Sequence, residues 1–122
     1  MTRFDSDPEQ TSPLTPAMFQ VLLALADGDK HGYAILKDVE EQSAGEVRLS
    51  TGTLYAMIKR MLLEGVIEEC RRRPALEDDD QRRRYYRLTA AGRELAIAEA
   101  HRMEKLIERA RARRLLKQPK TT

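Results

Sequence analysis

The chain has 122 residues, 41% hydrophobic and 34% charged, with two histidines, one cysteine and no tryptophan. This length predicts one domain with a small appendage, and the single cysteine excludes an intrachain disulfide framework. The net charge of +2 conceals an asymmetry, since residues 1–81 carry 9 Lys/Arg against 16 Asp/Glu and residues 82–122 carry 13 against 4.

A polyanion is the natural partner of the basic half, although charge alone gives no sequence specificity. Along residues 93–117 a solvated helix surface accounts for the charge equally well. No apolar stretch approaches the ~20 residues that span a bilayer. The start lacks the charged-then-apolar order of a secretory signal, so a cytoplasmic protein without a membrane partner is expected.

Residues 1–13 hold two prolines and no apolar period, which predicts a disordered tail. Thr15-Pro16 is a helix start: a hydroxyl cap, then proline at the first helical position. Met18, Phe19, Val21, Leu22, Leu23 and Leu25 crowd the first helix. It is therefore expected to bury more than half its circumference, against its own domain and, at Phe19 and Leu22, a partner. Asp27-Gly28-Asp29 ends it. Gly32-Tyr33 opens a second helix with an apolar stripe of Tyr33, Ile35, Leu36 and Val39, broken at Gln42-Ser43-Ala44-Gly45. Glu46-Val47-Arg48-Leu49 alternates polar and apolar, as a short strand beside a later hairpin would.

Ser50 is an N-cap for a third helix, in which Leu54, Met57, Ile58 and Met61 fall within an arc of ~100°. The opposite arc carries Gly52, Ala56, Lys59, Arg60 and Leu63, small at its start and basic further on. Gly65 stops this helix. Val66–Arg72 and Arg83–Leu88 then read as antiparallel strands around a long charged turn, with Tyr86 and Leu88 facing the core. Thr89 caps a last helix running from about Ala90 towards Leu116. Within it Ala96, Ala100, Met103, Ile107 and Ala110 recur in a heptad-like seam, flanked by Leu95 and Leu106. A small domain cannot cover that stripe, so a second subunit is expected to pack there with two-fold symmetry.

A helix followed at once by a basic hairpin is the order of parts in a winged helix-turn-helix. The expected fold class is mainly α (α+β), with residues 14–89 forming the DNA-binding domain and 90–117 a long C-terminal dimerisation helix. Leu14-Thr15, His31-Gly32-Tyr33, Ser50, Gly52-Thr53-Leu54-Tyr55, Arg60, Gly65-Val66-Ile67, Arg84-Tyr85-Tyr86, Leu88-Thr89 and Gly92-Arg93 occur in this order and spacing. Together they resemble the PadR-like transcriptional regulators, in the subgroup with a single short terminal helix. Two departures stand out. Ala56 occupies a place where the family commonly has proline, and the wing tip carries Glu77 and Asp78-Asp79-Asp80, which would repel phosphates. The second departure moves the expected contacts to the stems of the wing.

The resemblance implies a homodimer on a roughly palindromic operator, acting as a repressor that a small hydrophobic or phenolic effector releases. DNA contacts are then expected from Ser50, Thr51, Thr53, Tyr55, Lys59 and Arg60 on the helix, and from Arg72, Arg73, Arg82, Arg83 and Arg84 on the wing. Arg60 has the strongest claim, because guanidinium pairs bidentately with a guanine edge. Ser50 and Thr53 would serve equally as plain caps, Tyr55 as a core or hinge tyrosine, and the wing arginines as partners of Asp78–Asp80.

His31, His101 and Cys70 lie far apart without ligand spacing, so neither a metal nor a cofactor is expected. Cys70, alone in a strand, reads as inert ahead of a redox switch. No nucleophile is matched to a base and no glycine-rich phosphate loop is present, which argues against an enzyme. The alternative function is a winged-helix module that assembles on a protein without specific DNA binding.

Overall fold

The computed structural model describes residues 14–70 and 84–119. The expectations for the tail at 1–13 and for the acidic wing tip lie outside the described residues.

Each helix begins where a side chain takes up its orphan amides. Helix α1 (Pro16–Leu25) starts at Thr15, whose Oγ1 accepts the Met18 N–H at 3.1 Å. Helix α2 (Gly32–Gln42) starts at His31, whose Nδ1 accepts the Ala34 N–H at 3.2 Å. Helix α3 (Thr51–Glu64) starts at Ser50 and ends at Gly65. There the left-handed φ of +77° suits glycine and sends the Val66 N–H back to the Met61 carbonyl. Helix α4 (Ala90–Ala112) starts at Thr89. The sheet is β1 (Lys30–His31), β2 (Ile67–Cys70) and β3 (Tyr85–Leu88), antiparallel in the order β1-β3-β2, with Cys70 opposite Tyr85 and Glu69 opposite Tyr86.

The core joins Val21, Leu22 and Leu25 of α1, Ile35 and Val39 of α2, and Leu54, Ile58 and Met61 of α3 to Ile67 and Tyr86 of the sheet. Each fully buried aliphatic side chain contributes roughly 1.5–3 kcal/mol, so this cluster fixes the angle between α2 and α3. Lys30 ties the same corner from the edge strand: its ammonium donates to the Ala24 carbonyl and pairs with Asp27 and Asp38. Burial works against that charge, but the two carboxylates outweigh it and hold the Lys30 pKa above the ordinary lysine value.

Helix α4 is locked on at its root and leaves the domain after about two turns. The Thr89 N–H donates to the Val66 carbonyl at 3.1 Å, and the Thr89 hydroxyl to the Gly65 carbonyl at 2.6 Å. The Arg93 guanidinium reaches the Ala26 carbonyl at 3.2 Å, while Leu95 and Ala96 pack on the core. Helix pair α2–α3 followed by the β2–β3 ribbon makes a winged helix-turn-helix, with a long C-terminal helix attached.

Four expectations need correction. Glu46–Leu49 is not a strand: Val47 and Leu49 do turn inward, but Ser43 Oγ takes the Val47 N–H at 2.9 Å, and the third strand is Lys30–His31 on the free side of β3. Tyr33 is not part of the α2 stripe, which is Gly32, Ile35 and Val39 with Leu36 beside it. Leu22 cannot meet a partner, because at 0% exposure its side chain is spent inside its own core. Finally α4 ends at Ala112 instead of Leu116: Arg114 takes a φ of +65° and the Leu115 N–H returns to the Ala110 carbonyl at 2.8 Å.

Candidate nucleic-acid interface

Burial of Leu54, Ile58 and Met61, with Met57 and Leu62 packed beside them, turns the opposite face of α3 to water. Ser50, Thr51, Gly52, Thr53, Tyr55, Ala56, Lys59, Arg60 and Leu63 are all exposed. At its start the Thr53 N–H donates to Ser50 Oγ at 3.0 Å, and the Ser50 hydroxyl donates to Thr53 Oγ1 at 2.9 Å. Ser50 and Thr53 thus act as a paired cap, and Thr51 is the hydroxyl beside them with no partner among the described residues.

The Tyr55 phenol lies against Gly32, where a Cβ would stand 2.8 Å from Tyr55 Cζ. Gly32 is what lets Tyr55 bridge the starts of α3 and α2 while staying 46% exposed. Beneath it, burial pushes the Tyr86 phenol up, and Tyr55 and Glu69 act in the same direction.

The two cations of α3 differ. Arg60 Nε donates to Glu64 Oε2 at 3.0 Å, one turn along the same helix. Lys59 has no carboxylate partner among the described residues and is exposed. An exposed pair of the Arg60–Glu64 kind stabilises a helix by ~0.3–0.5 kcal/mol, so Arg60 can leave Glu64 for a stronger partner. At the foot of the wing Arg84 pairs with Glu69 at 3.5 Å, and Arg87 with Glu68 at 2.8 Å. Arg72, Arg73, Arg82 and Arg83 lie outside the described residues. Sequence reasoning named the wing's arginines but not their carboxylates: the strand register sets Glu68 opposite Arg87, while Glu69, opposite Tyr86, reaches Arg84 on the diagonal.

The expected dimerisation residues divide between two surfaces. Leu22, Leu95 and Ala96 belong to the protomer's own core or its edge. Phe19, Ala100, Met103 and Ile107 line an open groove of ≈ 570 Å³ between α1 and the free length of α4, together with Ile97, His101, Glu104 and Arg111. Leu106 is exposed and Ala110 half-buried beside it. Ile97 is the residue that the heptad reading missed. It follows Ala96 by one position and so lies 100° around the helix, off a seam anchored on Ala96.

A family model described as the transcriptional regulator PadR-like family matches residues 21–98. An uncharacterized 37.1 kDa protein in transposon TN4556 of Streptomyces fradiae is 41% identical over 94 residues, which are 74% of this chain and 24% of that protein. The chain therefore spans about a quarter of the length of the curated relative it matches. A PadR family transcription regulator from Clostridium difficile aligns with a TM-score of 0.60 at 25% identity, over 80% of this chain and 98% of that one. Bacillus subtilis PadR, solved in complex with operator DNA, aligns with a TM-score of 0.60 at 20% identity, over 72% of this chain and 48% of that one. The last likeness is one of fold.

Proposed function

The chain belongs to the PadR-like family of transcriptional regulators, and from that premise we propose that it binds promoter DNA as a cytoplasmic homodimer and represses by occluding the promoter. The observation that carries this reading is the free face of α3. Helices α1 and α2 and the sheet bury one side of it, yet the other keeps a short, open start followed by Lys59 and Arg60. A helix presented in this way fits a major groove, and two of them on a two-fold axis fit half-sites about one helical turn apart. Thr51, Tyr55 and Lys59 then meet phosphates, and Arg60 exchanges Glu64 for a phosphate or a guanine edge.

The partner subunit would sit in the groove of Phe19, Ile97, Ala100, Met103 and Ile107. Such an apolar seam is also where a small hydrophobic effector would act, by favouring one arrangement of the two reading helices over another. The chain's likeness in fold to a regulator solved on operator DNA supports the reading.

The test is the salt dependence of binding to the DNA upstream of its own gene. Affinity should fall steeply from low to moderate salt, because each phosphate contact adds about −0.9 to the log–log slope. Arg60→Ala should weaken binding to that DNA more than to an unrelated duplex, and Lys59→Ala should weaken both alike. A flat salt response, or equal affinity for both duplexes, would instead favour a protein-interaction module. Ile107→Glu should turn the dimer into monomers by mass measurement in solution; an unchanged mass would remove the groove from the interface.

A further inference from the structure

Between its polar residues, the exposed face of α3 is apolar. At 100° per residue, Gly52, Leu63 and Ala56 fall within an arc of ~40°, across the helix from Leu54 in the core. Leu63 is 80% exposed, more than any other large apolar side chain among the described residues. Ala56 is exposed two turns before it, and Gly52 one turn before that. A lone exposed leucine is ordinary on a protein surface, so its setting decides.

Polar residues border this strip on both sides. Thr51, Tyr55 and Lys59 recur at four-residue spacing along one edge, and Thr53 and Arg60 stand along the other. Glu64 lies beyond Arg60 and is already paired with it at 3.0 Å, so it brings no free negative charge to the strip. The face is thus framed by an ammonium and a guanidinium, while its middle offers no side-chain donor or acceptor. Such a middle cannot read a base by hydrogen bonding. The apolar feature that distinguishes base pairs in the major groove is the C5 methyl of thymine.

We propose that Ala56 and Leu63 determine sequence specificity by packing on thymine methyl groups. The Ala56 methyl and the end of the Leu63 side chain lie over the floor of the groove. Lys59 and Arg60 reach outward to its walls, where phosphate contacts position the helix. Part of the selectivity is therefore apolar, beside any hydrogen bond that Arg60 makes to a base edge. The occupant is duplex DNA and not an apolar protein surface, because cations flank the strip on both sides and Gly52 narrows it to backbone where α3 begins. The inference rests on the DNA-binding reading above.

The test uses the full chain and the DNA upstream of its own gene, prepared once with thymidine and once with deoxyuridine throughout. That exchange removes the C5 methyl and keeps every hydrogen-bonding group of the base. Wild type should bind the deoxyuridine fragment more weakly, by roughly fourfold for each methyl that it buries. A dimer with one such contact in each half-site should lose on the order of tenfold. Ala56→Gly and Leu63→Ala should each bind the thymidine fragment less well, and the ratio between the two fragments should shrink towards one in both. Lys59→Gln should weaken binding to both fragments and keep the wild-type ratio. Each ratio is taken within one variant, so any loss of folded Ala56→Gly protein cancels; Leu63 lies outside the core, so Leu63→Ala should unfold at the wild-type temperature. Equal wild-type affinity for the two fragments overturns the proposal. An undiminished ratio in both Ala56→Gly and Leu63→Ala also overturns it, because the methyls are then read elsewhere. A wild type that binds the thymidine fragment no better than an unrelated duplex overturns the DNA-binding reading itself, and this proposal with it.

Discussion

Helices α3 and α4 begin alike, and the comparison shows how one local design serves two ends. Each starts with a hydroxyl cap, Ser50 or Thr89, accepting an amide three residues on at 3.0 Å. Each also carries a glycine in its first turn, Gly52 or Gly92. A Cβ at Gly92 would fall inside the radius of the Val66 carbonyl oxygen and 2.8 Å from its carbon. A Cβ at Gly52 would meet nothing within 4 Å. Neither glycine has a positive φ, so backbone strain explains neither. The glycine of α4 is required by packing within the protomer; the glycine of α3 answers to nothing within it. Since glycine costs a helix ~0.5–1 kcal/mol relative to alanine, the first case has a structural return and the second needs an external one.

The largest effect that would sharpen this contrast is at Gly92. Gly92→Ala forces the root of α4 away from Val66, and overpacking of this kind costs roughly 1–3 kcal/mol. Urea unfolding should show the loss as a lower midpoint at an unchanged slope. Wild-type stability in this variant would mean that α4 is not pressed on the domain at its root.

The caps come next. Thr89→Ala removes the acceptor for the Gly92 N–H and also the donor to the Gly65 carbonyl, so about 1–2 kcal/mol should go. Thr89→Ser should restore most of it. Ser50→Ala loses a helix cap whose second bond joins two exposed hydroxyls, and should cost about 1 kcal/mol or less. Thermal unfolding of the three variants ranks them. If Ser50→Ala proves the costlier, α4 is the less firmly docked of the two helices.

Much of this architecture was legible from the residues. Caps and stops are local chemistry, so Thr15-Pro16, Ser50, Gly65 and Thr89 marked their helix ends correctly. The core face of α3 followed from its period. What could not be read depended on contacts distant in sequence. Alternation at Glu46–Leu49 suggested a strand, but pairing depends on which segment reaches the edge of β3, and that was Lys30–His31. Leu22 and Ile97 are both apolar helix residues, and only the packing of α1 against α4 sends one inward and leaves the other in the groove. The Arg60–Glu64 pair sits at an i, i+4 spacing that is legible in the sequence.

The smallest expected change in stability is also the most discriminating. Gly52→Ala adds a methyl group to open space on a helix of ordinary backbone, so the fold should be unaffected or gain a few tenths of a kcal/mol. On the DNA-binding reading that methyl occupies room through which the nucleic acid approaches the start of α3, and affinity for promoter DNA should fall about tenfold, ~1.4 kcal/mol. Measured together, unfolding and binding should move in opposite directions. A variant that binds as the wild type does would mean that Gly52 keeps no space for a ligand. One that unfolds more easily would mean that this turn is packed after all, and the contrast between the two helix starts would fail.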